Sequence, residues 1–371
     1  GSALFDSMTV LENIIFPLRM FSGKTDSEMI IRAREVINRV DLKDVDNKFP
    51  SEISGGMKKR VAIARAIVLN PKYLFCDEPN SGLDPKTAII IDADTANEVD
   101  DLFAISGALF EPNFEILGVT SSQFNTSPYA SLNTSKESKI INDMILKITG
   151  NTLTPSIEGG SKPINNTSNV VNSEASTFII DKARYHSIEN PLHIVILGSC
   201  TNIATAIINA PDITKKIKVF YLGFWHNPLT NSYNKDEFNS NNDPLAVNYL
   251  LDTVDLDFTV MSASTSQNLI FYRKELDKYF SINNPLGNYL KDRWDNYNRW
   301  WTDMDKENEQ WIMWDVAIIE AIANKSLSKL EIFSTPPENL NRNIRVFTEI
   351  DVDKIKKRFW TKIQFSNPSN L

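Results

Sequence analysis

Four aspartates within ten residues carry the strongest chemical signal in the sequence: Asp92, Asp94, Asp100 and Asp101. Carboxylates this close repel one another unless a cation lies among them, and ligands that are all oxygen favour calcium or magnesium. The alternative is that they are acidic caps at a helix N-terminus. That alternative accounts for one or two carboxylates but not for four. The string therefore predicts a site for a hard divalent cation.

Other metal chemistries have few ligands to draw on in this chain of 371 residues. The sequence has three histidines and two cysteines, which nearly excludes a zinc site built from those residue types. Cys76 and Cys200 lie among apolar or small residues. They are predicted to be buried free thiols rather than a disulfide.

The charge and hydropathy of the sequence limit the classes of partner that the protein can bind. The formal net charge is −8, and the sequence has no basic patch of the kind that binds nucleic acid. No apolar run is as long as a membrane span. We therefore expect a cytoplasmic protein that acts on a small molecule and leave a homo-oligomer open. Export is also left open, because the opening Gly1-Ser2 is typical of an expression tag.

Strand-like and helical segments alternate from about residue 87 onward. Apolar runs at 87–92, 115–120, 193–198, 217–223, 257–262 and 329–333 are interleaved with helical stretches such as 99–110, 136–149, 174–186 and 201–209. This alternation predicts an α/β fold, a Rossmann-like, mostly parallel sheet with helices on both faces. Ligands of such sheets bind at the carboxyl ends of the strands.

Polar residues follow several of these strands in turn, and an aspartate begins a late apolar helix. Amides and carboxylates at successive strand ends supply donors and acceptors for the hydroxyls of a polyol. For any single asparagine, a turn role remains the ordinary explanation. The residues concerned are Asn125, Asn202, His226, Asn231, Glu237, Asn239 and Asp315.

The first 86 residues contain a different set of motifs. A capping box at Thr25–Glu28 predicts a helix, and Ser54-Gly55-Gly56-Met57 opens another. A short apolar strand at 73–76 ends in Asp77-Glu78, and 81–84 read Ser-Gly-Leu-Asp. In this order the motifs resemble the signature, Walker B and D-loop of ABC transporter ATPases, most nearly their lipid-trafficking branch.

This resemblance lacks the part that holds ATP. A glycine-rich loop and a lysine must cradle the phosphates, yet at Gly23-Lys24-Thr25 the upstream position expected to be glycine is Leu18. In the intact family, Asp77 would hold magnesium and Glu78 would orient water. We therefore expect residues 1–86 to be an inert partial domain, mainly helical, with a vestigial nucleotide site (Ser54, Gly55, Gly56, Asp77, Glu78). This argues against an ATP-driven transporter subunit.

Residues 87–371 form the second predicted domain, and from Ile89 to about Ile363 they resemble the inosine–uridine-type nucleoside hydrolases. The family's Asp-x-Asp-Pro-Gly-x-Asp-Asp is similar to the string of four aspartates. Its Gly-x-Leu-Thr-Asn-Ile-Ala is similar to 198–204, and its Ala-Glu-Phe-Asn to 236–239. The resemblance implies the nucleoside hydrolase fold and calcium-dependent hydrolysis of ribonucleosides.

The resemblance also implies a role for each matching residue. Asp94, Asp101 and Asp315 would bind calcium by carboxylate and Leu197 by its backbone carbonyl. The metal would lower the pKa of a water, and Asp94 would accept its proton as it attacks the anomeric carbon. The C–N bond would break through an oxocarbenium-like state. The residues that would hold the ribose hydroxyls are Asp100, Asn125, Asn231, Glu237 and Asn239.

Two departures from the family pattern bear on the reaction. Five residues separate Asp94 from Asp100, where the family has three, so Glu98 competes for a ligand role. Trp314 stands where the family has a histidine that protonates the leaving base. Either His226 serves as that acid, or Trp314 and Trp225 stack on a purine. These departures keep a hydrolase or binder of another ribosyl compound as the alternative.

The late aromatic residues are mostly at helical spacing, so we expect packing roles for most of them. Only Trp311 or Trp314 is expected near the site. The residues are Trp294, Tyr297, Trp300, Trp301, Trp311 and Trp314.

Overall fold

The computed structural model describes residues 4–40, 42, 44–71, 86–168, 170–301 and 305–365. The chain divides into two compact units, Gly1–Lys86 and Thr87–Leu371. In the described part of the chain, no helix combines the length and apolar character needed to cross a bilayer.

The first unit is helical where it is described. It contains α1 (Val10–Phe21), α2 (Asp26–Arg39) and α3 (Gly55–Ile67), with a short 3₁₀ turn at Pro50–Glu52. The predicted capping box begins α2, because the Thr25 side chain accepts from the Glu28 N–H, and Ser54 caps α3 in the same way. The predicted strand, Walker B and D-loop segments lie outside the described residues.

The second unit alternates strands and helices. Its strands are β1 (Thr87–Ala93), β2 (Phe114–Ser121), β3 (Ser156–Ile157), β4 (Leu192–Ile196), β5 (Ile217–Leu222), β6 (Trp225–Asn227), β7 (Ser232–Asn234), β8 (Asp257–Met261), β9 (Ile270–Tyr272), β10 (Gln310–Ile312), β11 (Ser328–Ser334) and β12 (Asn343–Ile350). Its helices are α4 (Asp100–Leu109), α5 (Thr134–Ile148), α6 (Glu174–Arg184), α7 (Thr201–Asn209), α8 (Phe238–Asn242), α9 (Pro244–Asp252), α10 (Ala263–Ser266), α11 (Arg273–Tyr279), α12 (Pro285–Asn296), α13 (Trp314–Ala323) and α14 (Val352–Phe365).

Among the described residues, β6 pairs with β7 and β9 with β10, and the other eight strands of this unit form one sheet in the order β11-β12-β8-β5-β4-β1-β2-β3. Neighbours pair in parallel except β11 and β12. The predicted fold class is confirmed, and each predicted strand run is present. Two strands of the sheet were not predicted: β12, in which polar residues alternate with apolar ones, and β3, which has only two residues.

The central strand β1 explains the two-sided core. Successive side chains of a strand point to opposite faces, so Ile89 and Ile91 join one apolar cluster and Ile90 joins the other. The first cluster contains apolar residues of α4, α13 and α14. The second contains those of α6, α7 and α9. A strand covered on both faces must be apolar throughout, as the run before Asp92 is.

A buried ionic network connects α13 to α14. Glu111 and Glu320 have fully buried side chains, and both bond Arg358 of α14. Lys362 lies 3.0 Å from Glu111 and 2.5 Å from Glu320. Removing one partner from such a group leaves an uncompensated buried charge. The network therefore fixes the helix whose first turn carries Asp315.

The first unit is predicted to be dispensable for the fold of the second. Each unit builds its apolar core from its own residues, so a chain that begins at Lys86 should keep the melting temperature of the second unit. We expect no binding of ATP by the full-length chain at micromolar concentrations, because the phosphate loop is absent. Calorimetry of the full-length chain with ATP measures its binding. Thermal unfolding of the full-length and truncated chains shows whether the second unit keeps its melting temperature without the first. A truncated chain that no longer unfolds cooperatively would show that the second unit needs the first.

Candidate functional site

A cavity of about 240 Å³ opens at the carboxyl ends of the central strands of the second unit. Asp94 follows β1, Leu197 follows β4, Leu222 ends β5 and Ala263 lies just after β8. Its lining consists of Asp94, Asn97, Glu98, Asp100, Asp101, Leu197, Leu222, Trp225, Asp236, Glu237, Phe238, Asn239, Ala263, Trp300, Trp301, Trp314 and Asp315. The cavity thus has a carboxylate floor and an aromatic rim.

Buried carboxylates meet at one end of the cavity. Ligand oxygens of Asp100, Asp101 and Asp315 all lie within 4.8 Å of one another. One oxygen each of Asp94, Asp101 and Asp315 is buried without a hydrogen-bond partner in the described part of the chain. Unpaired buried carboxylate oxygens are costly, and they are the donors that a hard cation takes. This donor set fits a divalent cation.

Two helix N-termini and one glycine bring these carboxylates together. Asp100 and Asp101 lie in the first turn of α4, and Asp315 lies in the first turn of α13. The backbone N–H of Asp315 donates to Asp100 Oδ2 at 3.3 Å, and both helix dipoles favour negative charge there. At Gly198 a Cβ atom would lie 2.6 Å from Asp94 Oδ1. Only glycine therefore lets the backbone after β4 approach that carboxylate.

The carboxylates resist ionisation where they lie. Burial is the largest cause that raises the pKa of Asp94, Asp101 and Asp315. The charges of the neighbouring aspartates raise these pKa values further. Burial raises the pKa of Asp100 to about 7, against the opposing effect of the Asp315 N–H bond. A cation among them would favour the charged forms.

Asp92 does not line the cavity, although it belongs to the acidic string. Its Oδ1 accepts from Thr120 Oγ1 at 2.5 Å and from Asn202 Nδ2 at 2.8 Å. Asn202 Oδ1 accepts from the Gly160 N–H at 2.9 Å. Asp92 and Asn202 therefore tie β1, β2 and α7 together and support the cavity from outside.

Glu237 caps the N-terminus of the short helix α8, and Asn239 lies in its first turn. The Glu237 carboxylate accepts from the backbone N–H groups of Phe224, Asn239 and Ser240 at 3.0, 2.9 and 3.1 Å. Asn239 Nδ2 donates to the carbonyls of Leu197 at 2.6 Å and Leu222 at 3.1 Å. Because both hydrogen bonds of its amide nitrogen are made within the protein, Oδ1 is the side-chain atom that can contact a ligand.

Three residues predicted for the site lie outside the cavity lining. Asn125 donates to the Ser161 carbonyl and accepts from Thr134 Oγ1, both at 2.8 Å. His226 and Asn231 lie on or beside the hairpin of β6 and β7, where His226 Nε2 is 3.1 Å from Asn231 Oδ1. Each of these side chains has its partners elsewhere in the fold.

The surroundings of His226 are apolar. Its ring packs against Tyr233 and Phe333, both with ring centroids at 4.6 Å. Burial lowers the pKa of His226. A lowered pKa leaves the imidazole neutral near pH 7, so its environment gives no support to the role of proton donor.

The aromatic rim includes residues that sequence patterning assigned to packing. Trp225 and Trp314 meet edge to face with ring centroids at 6.1 Å. Trp300 and Trp301 also line the cavity, contrary to expectation, whereas Trp311 is buried outside it. The two tryptophans lie in an irregular segment after α12, where helical spacing does not decide which face a side chain occupies.

Comparison with known proteins points to two families. The family model for the inosine-uridine preferring nucleoside hydrolases matches residues 89–357, and the ABC transporter model matches residues 1–81. The probable ribonucleotide transport ATP-binding protein mkl of Mycobacterium leprae is 51% identical over 83 residues, which are 22% of this chain and 24% of that protein. The chain thus spans about a quarter of the length of the curated relatives it matches. Both resemblances inferred from the sequence are confirmed.

Two solved structures share the fold of the second unit. The plant nucleoside hydrolase PpNRh1 has a TM-score of 0.61 and 17% identity, over 76% of this chain and 99% of that one. The purine-preferring ribonucleoside hydrolase from Gardnerella vaginalis has a TM-score of 0.60 and 20% identity, over 76% and 99% of the two chains. At these identities the likeness establishes the fold.

Replacing Asp315 by asparagine is predicted to weaken binding of a divalent cation. The change keeps the size of the side chain but removes one negative charge from the cluster, so affinity should fall at least about tenfold. Calorimetric titration with calcium and with magnesium measures this. Asp236→Asn is the matched control, because Asp236 is an exposed cavity residue outside the cluster. Equal affinities in wild type and Asp315→Asn would show that Asp315 is not a ligand.

The metal-free fold should lose stability as pH rises toward neutrality. A carboxyl whose folded pKa is raised stabilises the fold below its unfolded pKa of about 4, and that contribution is lost as pH rises through the folded pKa. For Asp100 the folded pKa is about 7. Melting temperatures in chelator should therefore fall between about pH 5 and about pH 7.5, and excess calcium should remove the fall. A melting temperature that rises with pH in chelator would contradict the assignment.

Proposed function

The chain belongs to the inosine-uridine preferring nucleoside hydrolase family, and from this membership we propose that it hydrolyses the N-glycosidic bond of ribonucleosides to ribose and a free base. One observation carries the proposal. Buried carboxylate oxygens without hydrogen-bond partners among the described residues lie at the end of a cavity that has an aromatic rim. The floor suits a cation and a polyol, and the rim suits a flat heterocycle.

Calcium is the proposed cation. Asp94, Asp101 and Asp315 would hold it together with the Leu197 carbonyl, since calcium accepts several oxygen ligands in flexible geometry. The Leu197 carbonyl already accepts from Asn239, and its second lone pair remains for a ligand. The cation would supply charge stabilisation and a lowered pKa for water.

Asp94 is the proposed general base. Its Oδ2 is buried and has no hydrogen-bond partner in the described residues, so it can accept a proton from the attacking water. Burial and the neighbouring charge of Asp100 raise its pKa, which strengthens it as a proton acceptor once it is ionised.

Asp100, Glu237 and Asn239 are proposed to hold the ribose hydroxyls. All three line the cavity, and the backbone donors on Glu237 fix its orientation before substrate arrives. Carboxylates beside the sugar stabilise the positive charge that develops as the C–N bond breaks. Asn125 and Asn231 stay outside this part of the proposal, because both lie outside the cavity lining.

The base is proposed to leave while it is stacked, with a preference for purines. Trp314 and Trp225 line the cavity as an edge-to-face pair, and a purine presents a larger face to them than a pyrimidine. His226 lies outside the cavity lining, so we propose that the departing base takes its proton from solvent rather than from that imidazole.

A panel of ribosyl compounds with calcium tests the function. Release of free base or reducing sugar from inosine, guanosine, adenosine, uridine or cytidine would support the proposal. The lengthened segment between Asp94 and Asp100 favours one alternative, a hydrolase of another ribosyl compound. Turnover of such a compound with no turnover of any nucleoside would favour that alternative.

Replacing Trp314 by alanine should reduce the purine preference. Stacking of a base on an aromatic side chain contributes about 1–3 kcal/mol, so kcat/KM for inosine should fall roughly 5- to 150-fold, with a smaller loss for uridine. Trp311→Phe is the matched control, because Trp311 is buried outside the cavity. A wild-type kcat/KM higher for uridine than for inosine, or equal losses for both in the variant, would contradict the preference.

A further inference from the structure

The segment between Asp94 and Asp100 is two residues longer than the family pattern and is held in place. Thr95 Oγ1 donates to the Ser138 carbonyl and to Asn142 Oδ1 on α5, both at 2.9 Å. The backbone N–H of Asn97 donates to the Asp94 carbonyl at 2.7 Å. The longer segment is therefore a fixed turn at the edge of the cavity.

Two polar side chains of this turn line the cavity, and each leaves one buried oxygen without a partner among the described residues. Asn97 is only 3% exposed and lines the cavity, and its Oδ1 is buried with no hydrogen-bond partner in the described chain. Glu98 also lines the cavity, and its Oε2 is equally without a partner there. A buried polar atom left unpaired costs free energy, and natural structures rarely leave one without a reason.

Glu98 lies close enough to the carboxylate cluster and to Glu237 for their charges to interact. Its charge interacts with those of Asp100, Asp94 and Glu237, and such interactions weaken with distance. Glu98 does not belong to the group of oxygens that converge within 4.8 Å. Its unpartnered Oε2 lines the cavity outside that group, so it is available to a group bound beside the cation.

We propose that Asn97 and Glu98 bind a hydroxyl group of the ribosyl moiety and so make the site selective for that hydroxyl. The hydroxyl would donate to the Glu98 carboxylate or to Asn97 Oδ1, and Asn97 Nδ2 would donate to the hydroxyl oxygen. This inference rests on the proposed function, since it places a ribosyl group in the cavity. It adds two binding residues with no counterpart in the family's aspartate motif.

The test uses a ligand that cannot be hydrolysed. The probe 1,4-anhydro-D-ribitol keeps the ribofuranose hydroxyls and has no base to release, and its 2-, 3- and 5-deoxy analogues each lack one hydroxyl. Calorimetry with the full-length chain and calcium gives the affinity of each compound. For the wild type, one analogue should bind about tenfold more weakly than the parent, the loss of one buried hydrogen bond. In Asn97→Leu and Glu98→Leu that difference should shrink to about twofold or less.

Thr95→Val is the matched control. It removes the anchor of the turn on α5 and no polar atom from the cavity, so it should weaken all four compounds by the same factor. Asn97→Ala replaces the leucine variant if the latter does not fold. Calcium affinity should stay within about threefold of wild type in Asn97→Leu, because Asn97 carries no charge. In Glu98→Leu the loss of a charge that interacts with those of Asp94 and Asp100 should lower calcium affinity, so every titration is run at saturating calcium.

Two results would overturn the inference. One is unchanged discrimination among the four compounds in Asn97→Leu and Glu98→Leu. The other is a calcium affinity reduced about tenfold or more in Asn97→Leu, which would make the uncharged Asn97 side chain a metal ligand. Inosine hydrolysis by the wild type, measured in parallel, separates this test from that of the proposed function. If the wild type hydrolyses inosine but the variants discriminate among the four compounds as the wild type does, only the inference about Asn97 and Glu98 is wrong. If the variants lose that discrimination but the wild type does not hydrolyse inosine, only the proposed activity is wrong.

Discussion

Several carboxylates are buried within a few ångströms of one another at the carboxyl end of β1, and water is largely excluded from them. Burying a carboxylate costs free energy that a cation, hydrogen-bond donors or protonation must offset. The fold supplies only some of those donors, and oxygens of Asp94, Asp101 and Asp315 remain without them in the described residues. The metal-free site therefore destabilises the second unit, and the surrounding elements must hold its carboxylates in place.

The surrounding elements follow from this requirement. The rigid strand β1, packed on both faces, fixes Asp94, and the first turns of α4 and α13 present the other aspartates with favourable helix dipoles. The network of Glu111, Glu320, Arg358 and Lys362 holds the far end of α13 against α14. Because these supports are made before a ligand arrives, the carboxylates and the cavity around them are held in place in advance.

The sequence predicted the parts of the site that depend on local order in the chain. The apolar run of β1 and the acidic string after it predict a strand end and a cluster of carboxylates without any tertiary information. Asn125, His226 and Asn231 also follow strands, but strand order does not determine which way a loop side chain points. In the structure, tertiary partners such as Ser161 and Phe333 turn these three away from the cavity lining. Trp300 and Trp301 were expected to have packing roles, yet they line the cavity because an irregular segment brings them there.

The proposed role of the buried aspartates is to hold a cation that enables hydrolysis of a nucleoside. The most direct measurement is base release from inosine by the full-length chain after removal of metal with a chelator, and again after addition of calcium. Activity should disappear with the metal and return with calcium. Equal rates in chelator and in calcium would contradict this proposal, as would the absence of base release from a chain to which calcium is shown to bind.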